Sequence, residues 1–381
     1  MVKIIYRNYR AGDDEQLADL YNRAFQMAGF NVLRTAKNWN WRYIQSPNFE
    51  PEMIHIAENI ENRKIVGALC ANLIEELSFK DKKYLVGDIN DVICHPSYTK
   101  RGIAKTLMEN AINYLKKKNC DISMLAADDG YFPRKKIYPK YGYEEVEKAI
   151  VYLNFANLFK LVKDFPGFGY LFPVLFMNSY IPRILYKFII RFNPFFKNFS
   201  YEIIHNKKHF VYRNAANEIL KKDYTGIPNF DRKRVLWSRI KVPSKKHAPT
   251  YIIVRENNQI IGCATLSHTN IYYLKYGIKL RIGFVYEILL DRSHFNTSRN
   301  LYFGYIYIID KIFKAAIKRF IGISTIIVNS NQYELIKALK AMRFIKFATA
   351  SIMMKPLNQK IPNLDVKKNL YLPSYLLLGL P

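Results

Sequence analysis

Val92-Ile93-Cys94-His95-Pro96, followed six residues later by Gly102-Ile103-Ala104, is the stretch of this 381-residue chain best suited to hold an anion. A short apolar β-branched run, a proline stop, a basic loop, a glycine and an apolar-striped segment describe a strand delivering the backbone to a helix N-terminus. The first amides of such a helix lack partners within it and the helix dipole is positive there, so a phosphate suits the position. Gly102 lets a diphosphate approach the main chain without meeting a Cβ, the amides from Lys100 to Lys105 converge on it, and Lys100, Arg101 and Lys105 add charge. Metal chemistry is not indicated. Cys70, Cys94, Cys120 and Cys263 are widely separated, and His205 and His209, four apart, have only Lys207 and Lys208 near them. Reduced thiols and a start, Met1-Val2-Lys3, that does not resemble a signal sequence predict a cytoplasmic protein.

The elements that must position this loop are legible around it. Ile4 to Arg7 reads as a strand, and Leu17, Leu20, Tyr21, Ala24 and Phe25 mark one face of a helix. Ile54 to Ala57 and Ile65 to Leu73 form a hairpin pattern across the polar turn at Glu61 to Lys64, and a strand follows from Tyr84 to Cys94. After Gly102, the residues Ile103, Leu107, Met108, Ala111, Ile112 and Leu115 face inward on a helix that ends in Lys116, Lys117 and Lys118. Ile122 to Ala126 is a further strand.

Half of the residues are apolar, so the composition supports a substantial core and excludes wholesale disorder. Residues 1–150 carry a net charge of +3, and the remainder carries +25 of the total +28. The basic part predicts an anionic partner such as a membrane surface; no recognised nucleic-acid motif accompanies it. Between Phe165 and Pro182 there is no charged residue, but Pro166, Gly167, Gly169 and Pro173 argue against one continuous helix. For residues 165–197 two readings stay open: packing against the rest of the molecule, or an interfacial segment resting on an anionic membrane.

The second half echoes the first. Trp41 precedes Gly67 by 26 residues and Trp237 precedes Gly262 by 25, each across a two-strand pattern, which predicts a diverged duplication. Counting on by the interval from Gly67 to Gly102 reaches Thr297, with no glycine to replace Gly102, so the second copy is expected to be degenerate.

The first copy resembles the GNAT superfamily of N-acetyltransferases. Thr99-Lys100-Arg101-Gly102-Ile103-Ala104 is similar to its acyl-CoA pyrophosphate loop, with Thr99 in place of the usual Gln or Arg. Tyr138-Pro139-Lys140-Tyr141-Gly142-Tyr143, 36 residues beyond Gly102, is similar to its second motif. The tandem arrangement resembles the first two domains of the enhanced-intracellular-survival type of acetyltransferase. The resemblance implies an α/β (α+β) chain of two tandem GNAT folds, each a mixed, mostly antiparallel sheet with flanking helices. Its expected parts are a catalytic domain over 1–150, an aromatic and basic linker over 151–200, a degenerate domain over 201–358 and a tail over 359–381.

It further implies acetyl-CoA as co-substrate, no metal, and direct transfer to the primary amine of a small molecule or peptide. The splayed strand end Val92-Ile93-Cys94 would pair with the pantetheine, and an N–H there, that of Ile93, would hold the oxyanion. Tyr138 is implied as general acid to the departing thiolate. The base is left among Asp88, Asp91, Asp128 and Asp129, with strand alternation predicting that Asp88 and Asp91 face opposite ways. Alternatives are an aminoacyl- or acyltransferase acting on membrane or cell-wall precursors, and a non-catalytic docking module.

Overall fold

The computed structural model describes residues 3–27, 33–79, 82–129, 135–205, 209–240, 249–273, 278–358 and 369–371. His205 and His209 have their side chains outside the described set. The first half runs β1 (Ile4–Asn8), α1 (Asp14–Met27), α2 (Ala36–Tyr43), β2 (Ile54–Asn59), β3 (Lys64–Phe79), β4 (Lys82–Cys94), α3 (Ile103–Lys117), β5 (Ile122–Asp128) and β6 (Glu144–Phe155). Helices α1 to α3 form where apolar stripes meet the sheet. Ile103, Leu107, Met108, Ala111, Ile112 and Leu115 of α3 are all buried, and Leu17, Leu20 and Tyr21 of α1 join Trp39 and Tyr43 of α2 in a second cluster.

Two further helices, α4 (Leu158–Asp164) and α5 (Phe172–Phe192), lead to the second half. The expectation against one continuous helix over residues 165–182 holds for Pro166–Leu171, but Pro173 does not interrupt α5. Its Pro173 lies in the first turn, where a missing N–H costs no helical bond, and the helix continues through Pro182. The glycines lie before it, in a 3-10 turn over Pro166–Leu171.

The second half runs β7 (Phe199–His205), α6 (His209–Asp223), the short pieces β8 (Tyr224–Thr225), β9 (Ile227–Pro228) and α7 (Arg232–Val235), then β10 (Thr250–Glu256), β11 (Gln259–Tyr273), β12 (Ile278–Leu290), α8 (Ser298–Lys318), β13 (Ile323–Asn329), α9 (Tyr333–Ala341) and β14 (Ile345–Pro356). A last piece, β15 (Asn369–Leu370), pairs with β8.

All main strands share one mostly antiparallel sheet in the order β1-β2-β3-β4-β5-β14-β6-β13-β12-β11-β10-β7. Read from its two edges inward, the order repeats. An edge strand, a hairpin with a long second arm, a fourth strand and a parallel fifth occur on each side, with Val86 opposite Ile122 and Ile282 opposite Ile323. At the centre the last strands are exchanged: β14, from the end of the second half, pairs with β5, and β6 pairs with β13. β6 thus crosses residue 150 as part of the central sheet. Trp41 and Trp237, singled out by their spacing, meet between the two halves. Their rings stack with centroids 5.8 Å apart, and each indole N–H donates to the other's backbone carbonyl, at 3.1 and 2.7 Å. Such reciprocity is the signature of a local two-fold relation between the halves.

Candidate acyl-CoA site

β4 and β5 are paired from Val86–Ile122 to Ile89–Leu125, after which the register ends while β5 continues along β14 as far as Asp128. Val92, Ile93 and Cys94 therefore lie beyond the β4–β5 pairing, with Ile93 and Cys94 still held by Ala68 and Gly67 of β3 on the other edge. This divergence gives the strand edge that an extended amide-bearing chain can join.

The loop after Cys94 is ordered by its own side chains. His95 Nδ1 accepts from the Ser97 amide at 3.2 Å, and Thr99 Oγ1 donates to the Pro96 carbonyl at 3.1 Å. Lys100 and Gly102 both have positive φ, +61° and +79°, and Gly102 caps α3 without any side-chain hydrogen bond to the helix amides. A Cβ built on Gly102 meets nothing within 4 Å, so the position is open above the backbone as well as left-handed. The leading amides of α3, those of Ile103, Ala104 and Lys105, begin the helix beneath exposed Lys100, Arg101 and Lys105. These features fit a diphosphate. In the second half the counterpart Thr297 caps α8 in extended conformation, and its hydroxyl accepts from the Asn300 amide at 3.1 Å. One half leaves its helix N-terminus open to an anion, and the other closes it with its own hydroxyl.

Tyr138 opens a 3-10 turn, Tyr138–Tyr141, closed by left-handed Gly142. It is half-buried against the α3-side cluster, as are Val92 and Cys94, and stands edge-on to Tyr143 at 6.3 Å. Tyr143 is fixed to β5 by a 2.7 Å hydrogen bond with Ser123. The second motif is thereby fastened to the same side of the sheet as the anion loop.

The expectation that Asp88 and Asp91 face opposite ways is corrected by a β-bulge. Asp91 and Val92 together oppose Leu69, and Asp91 takes φ +47°, which turns its side chain to the face carrying Asp88. Asp91 pairs there with buried Arg34 and accepts from the Tyr43 hydroxyl. The same pattern recurs in the second half, where Arg213 and Tyr212 contact Glu287 at 2.9 and 3.0 Å. Both are supports of the sheet at its point of divergence.

Asp88 is placed differently. It accepts from Asn90 at 2.9 Å, and burial raises its carboxyl from the ordinary 3.8 to about 7, with Asn90 and Arg42 partly opposing the rise. It lines a small void of about 10 Å³ together with Glu75, Val86 and Met124, and with Gly226, Pro228, Arg234, Leu370 and Tyr371 of the second half. Arg234 is ion-paired with Glu75 across this boundary. Asp129 is committed elsewhere, accepting from Ser351 Oγ at 2.6 Å, and Asp128 lies in the register with Ala350 of β14.

Arg34, Tyr43, Asn90, Glu75 and Arg234 were not singled out by the sequence. An arginine that reaches a buried carboxylate has the same one-letter context as one in solvent. The only available signal was their company: Tyr43 in the Trp39–Tyr43 aromatic run, and Asn90 beside the paired aspartates. Among the described residues no group of His, Cys, Asp and Glu is arranged to hold a metal ion.

Residues 5–146 match the family model described as Acetyltransferase (GNAT) domain. No curated protein matches the chain by sequence. Among solved structures, the fold is similar to Saccharomyces cerevisiae N-myristoyltransferase with bound myristoyl-CoA, at 14% identity and TM-score 0.67 over 93% of this chain and 80% of that one. A second structure of the yeast enzyme with bound myristoyl-CoA gives TM-score 0.67 and 14% identity over 96% and 88%. Residues 5–146 thus match a GNAT acetyltransferase domain model, and nearly the whole chain shares its fold with these N-myristoyltransferase structures.

Proposed function

We propose that the protein is an acyl-CoA-dependent N-acyltransferase that moves an acetyl group directly to the primary amine of a small molecule or peptide. The observation that carries this reading is the open, left-handed Gly102 cap of α3 beside the β4–β5 divergence, present in one half and closed by Thr297 in the other. The bound thioester supplies the acyl group. Lys100, Arg101 and the amides of 102–105 hold its diphosphate, the edge at Val92–Cys94 aligns the pantetheine, and the Ile93 N–H polarises the carbonyl.

Acid and base then stand on opposite sheet faces, with Asp88 at the end of the β4–β5 pairing. Tyr138, on the α3 side, gives its phenolic proton to the departing sulfur. Asp88, buried on the other side, takes a proton from the incoming amine through an intervening water. Asp88 is preferred to Asp91 as base because Asp91 is held by Arg34 and Tyr43. The second half places Gly226, Arg234 and Tyr371 beside Asp88.

A longer acyl donor is a second reading, favoured by the myristoyl-CoA bound in the similar yeast structures. Thermal stabilisation by acetyl-CoA and myristoyl-CoA, followed by thiol release across an amine library, separates the two. Stabilisation by neither removes both. In the same assay Tyr138→Phe is expected to lower kcat about 10²-fold while the acyl-CoA dissociation constant stays within about twofold. An unchanged kcat would remove Tyr138 from the chemistry.

A further inference from the structure

The helix α5 presents an apolar face that no described residue covers. Val174, Met177, Ile181, Leu185, Phe188 and Phe192 recur every three or four residues on one side, and each is at least 40% exposed, Phe192 75%. Soluble surfaces seldom carry so long an uninterrupted apolar stripe without a partner. The opposite side is bound to the protein. Ser179, Arg183 and Ile190 are buried, and the Arg183 guanidinium donates to Asn154 Oδ1 at 2.5 Å and the Ala156 carbonyl at 3.1 Å, lying 3.7 Å over the Phe313 ring. The helix is thus held along the molecular surface with its apolar side outward. No helix among the described residues is long and apolar enough to cross a membrane.

The charges around the stripe select its partner. From Phe165 to Tyr201 the chain has no Asp or Glu, while Lys187, Arg191 and Lys197 are exposed. A two-fold dimer through this face would set these cations against their own copies with no acid from the segment to neutralise them. A layer of anionic headgroups over an acyl boundary satisfies both parts at once: aliphatic and phenyl groups enter the boundary, and the cations meet phosphates.

We propose that α5 is an in-plane docking element for an anionic lipid bilayer. It is independent of the acyl-CoA site and of the reading given for it. Flotation of the full-length protein with phosphatidylglycerol-containing vesicles is expected, with little recovery on pure phosphatidylcholine. Phe188→Glu combined with Phe192→Glu should weaken binding at least tenfold, and Lys187→Gln or Arg191→Gln about fivefold each. Phe188→Trp supplies a depth reporter, since Trp39, Trp41 and Trp237 are all buried. The emission of the introduced indole should be quenched by lipids brominated on the acyl chain. Circular dichroism and thermal melting establish that the variants are folded. Absence of flotation, flotation indifferent to the double glutamate variant, or an unquenched signal from the Phe188→Trp protein would each overturn the proposal. So would a concentration-dependent dimer that the same glutamates dissolve.

Discussion

Gly102→Asp is expected to eliminate measurable acyl-CoA binding, a loss of at least about 10²-fold in Kd by titration calorimetry. Two effects add. The substitution introduces a side chain where φ is +79° and the space above the backbone is open, so the new carboxylate projects into the volume a diphosphate needs. It also places a negative charge at a helix N-terminus that otherwise favours the ligand's own charge. Asp tolerates the left-handed region better than most residues, so the fold should survive and the melting temperature without ligand should change little. Gly102→Ala separates the terms: it keeps the backbone cost of about 1 kcal/mol and adds no charge, and should weaken binding only about fivefold. Thr297→Gly, which opens the counterpart cap in the second half, should create no site, because Phe295 packs in the core against Gly304 there. Full affinity in Gly102→Asp would show that the anion loop is not where the donor binds.

Asp88→Asn should separate activity from stability. Burial raises the Asp88 carboxyl to about 7, so the folded protein holds this proton more tightly than the unfolded chain does. The stability it contributes is complete below the unfolded value near 3.8, declines as pH rises, and is gone above about 7. At pH 8 the wild type therefore keeps a buried carboxylate at a cost of roughly 2–4 kcal/mol. Removing that charge should raise the denaturant midpoint at pH 8 and leave it nearly unchanged at pH 4. If Asp88 is the base, wild-type kcat/KM should climb through about pH 7, and the variant should lose about 10²–10⁴-fold and the climb with it. A variant that is more stable at pH 8 yet keeps the wild-type rate and pH profile would assign Asp88 to packing alone.

Legibility from the sequence followed the range of the interactions. The α3 stripe, the hairpin around Glu61–Lys64 and the strand ending at Cys94 are local patterns, and each stands where its period placed it. The Trp41 and Trp237 spacing also pointed correctly to related surroundings, though nothing local could reveal that the two indoles bond to one another. The β-bulge at Asp91 was hidden for a definite reason: alternation assumes an unbroken period of two, and one extra residue inverts it. At α5 only Pro173 was misweighted, as a breaker without regard to its place in the first turn of the helix. The small void joining Asp88 to Arg234 and Tyr371 depends on residues far apart along the chain, and no periodicity encodes that.

The exchanged strands β6 and β14 explain why a half whose helix cap is closed to anions remains part of the protein. β14 supplies the rail on which β5 runs past the point where β4 departs, and its Ser351 binds both Asp129 and Glu145. β6 in turn is seated on β13. Each half is finished with material from the other, like two hands with interlaced fingers. The second half needs no anion loop of its own for this role, but its last strand could not be removed without unmaking the wall of the first.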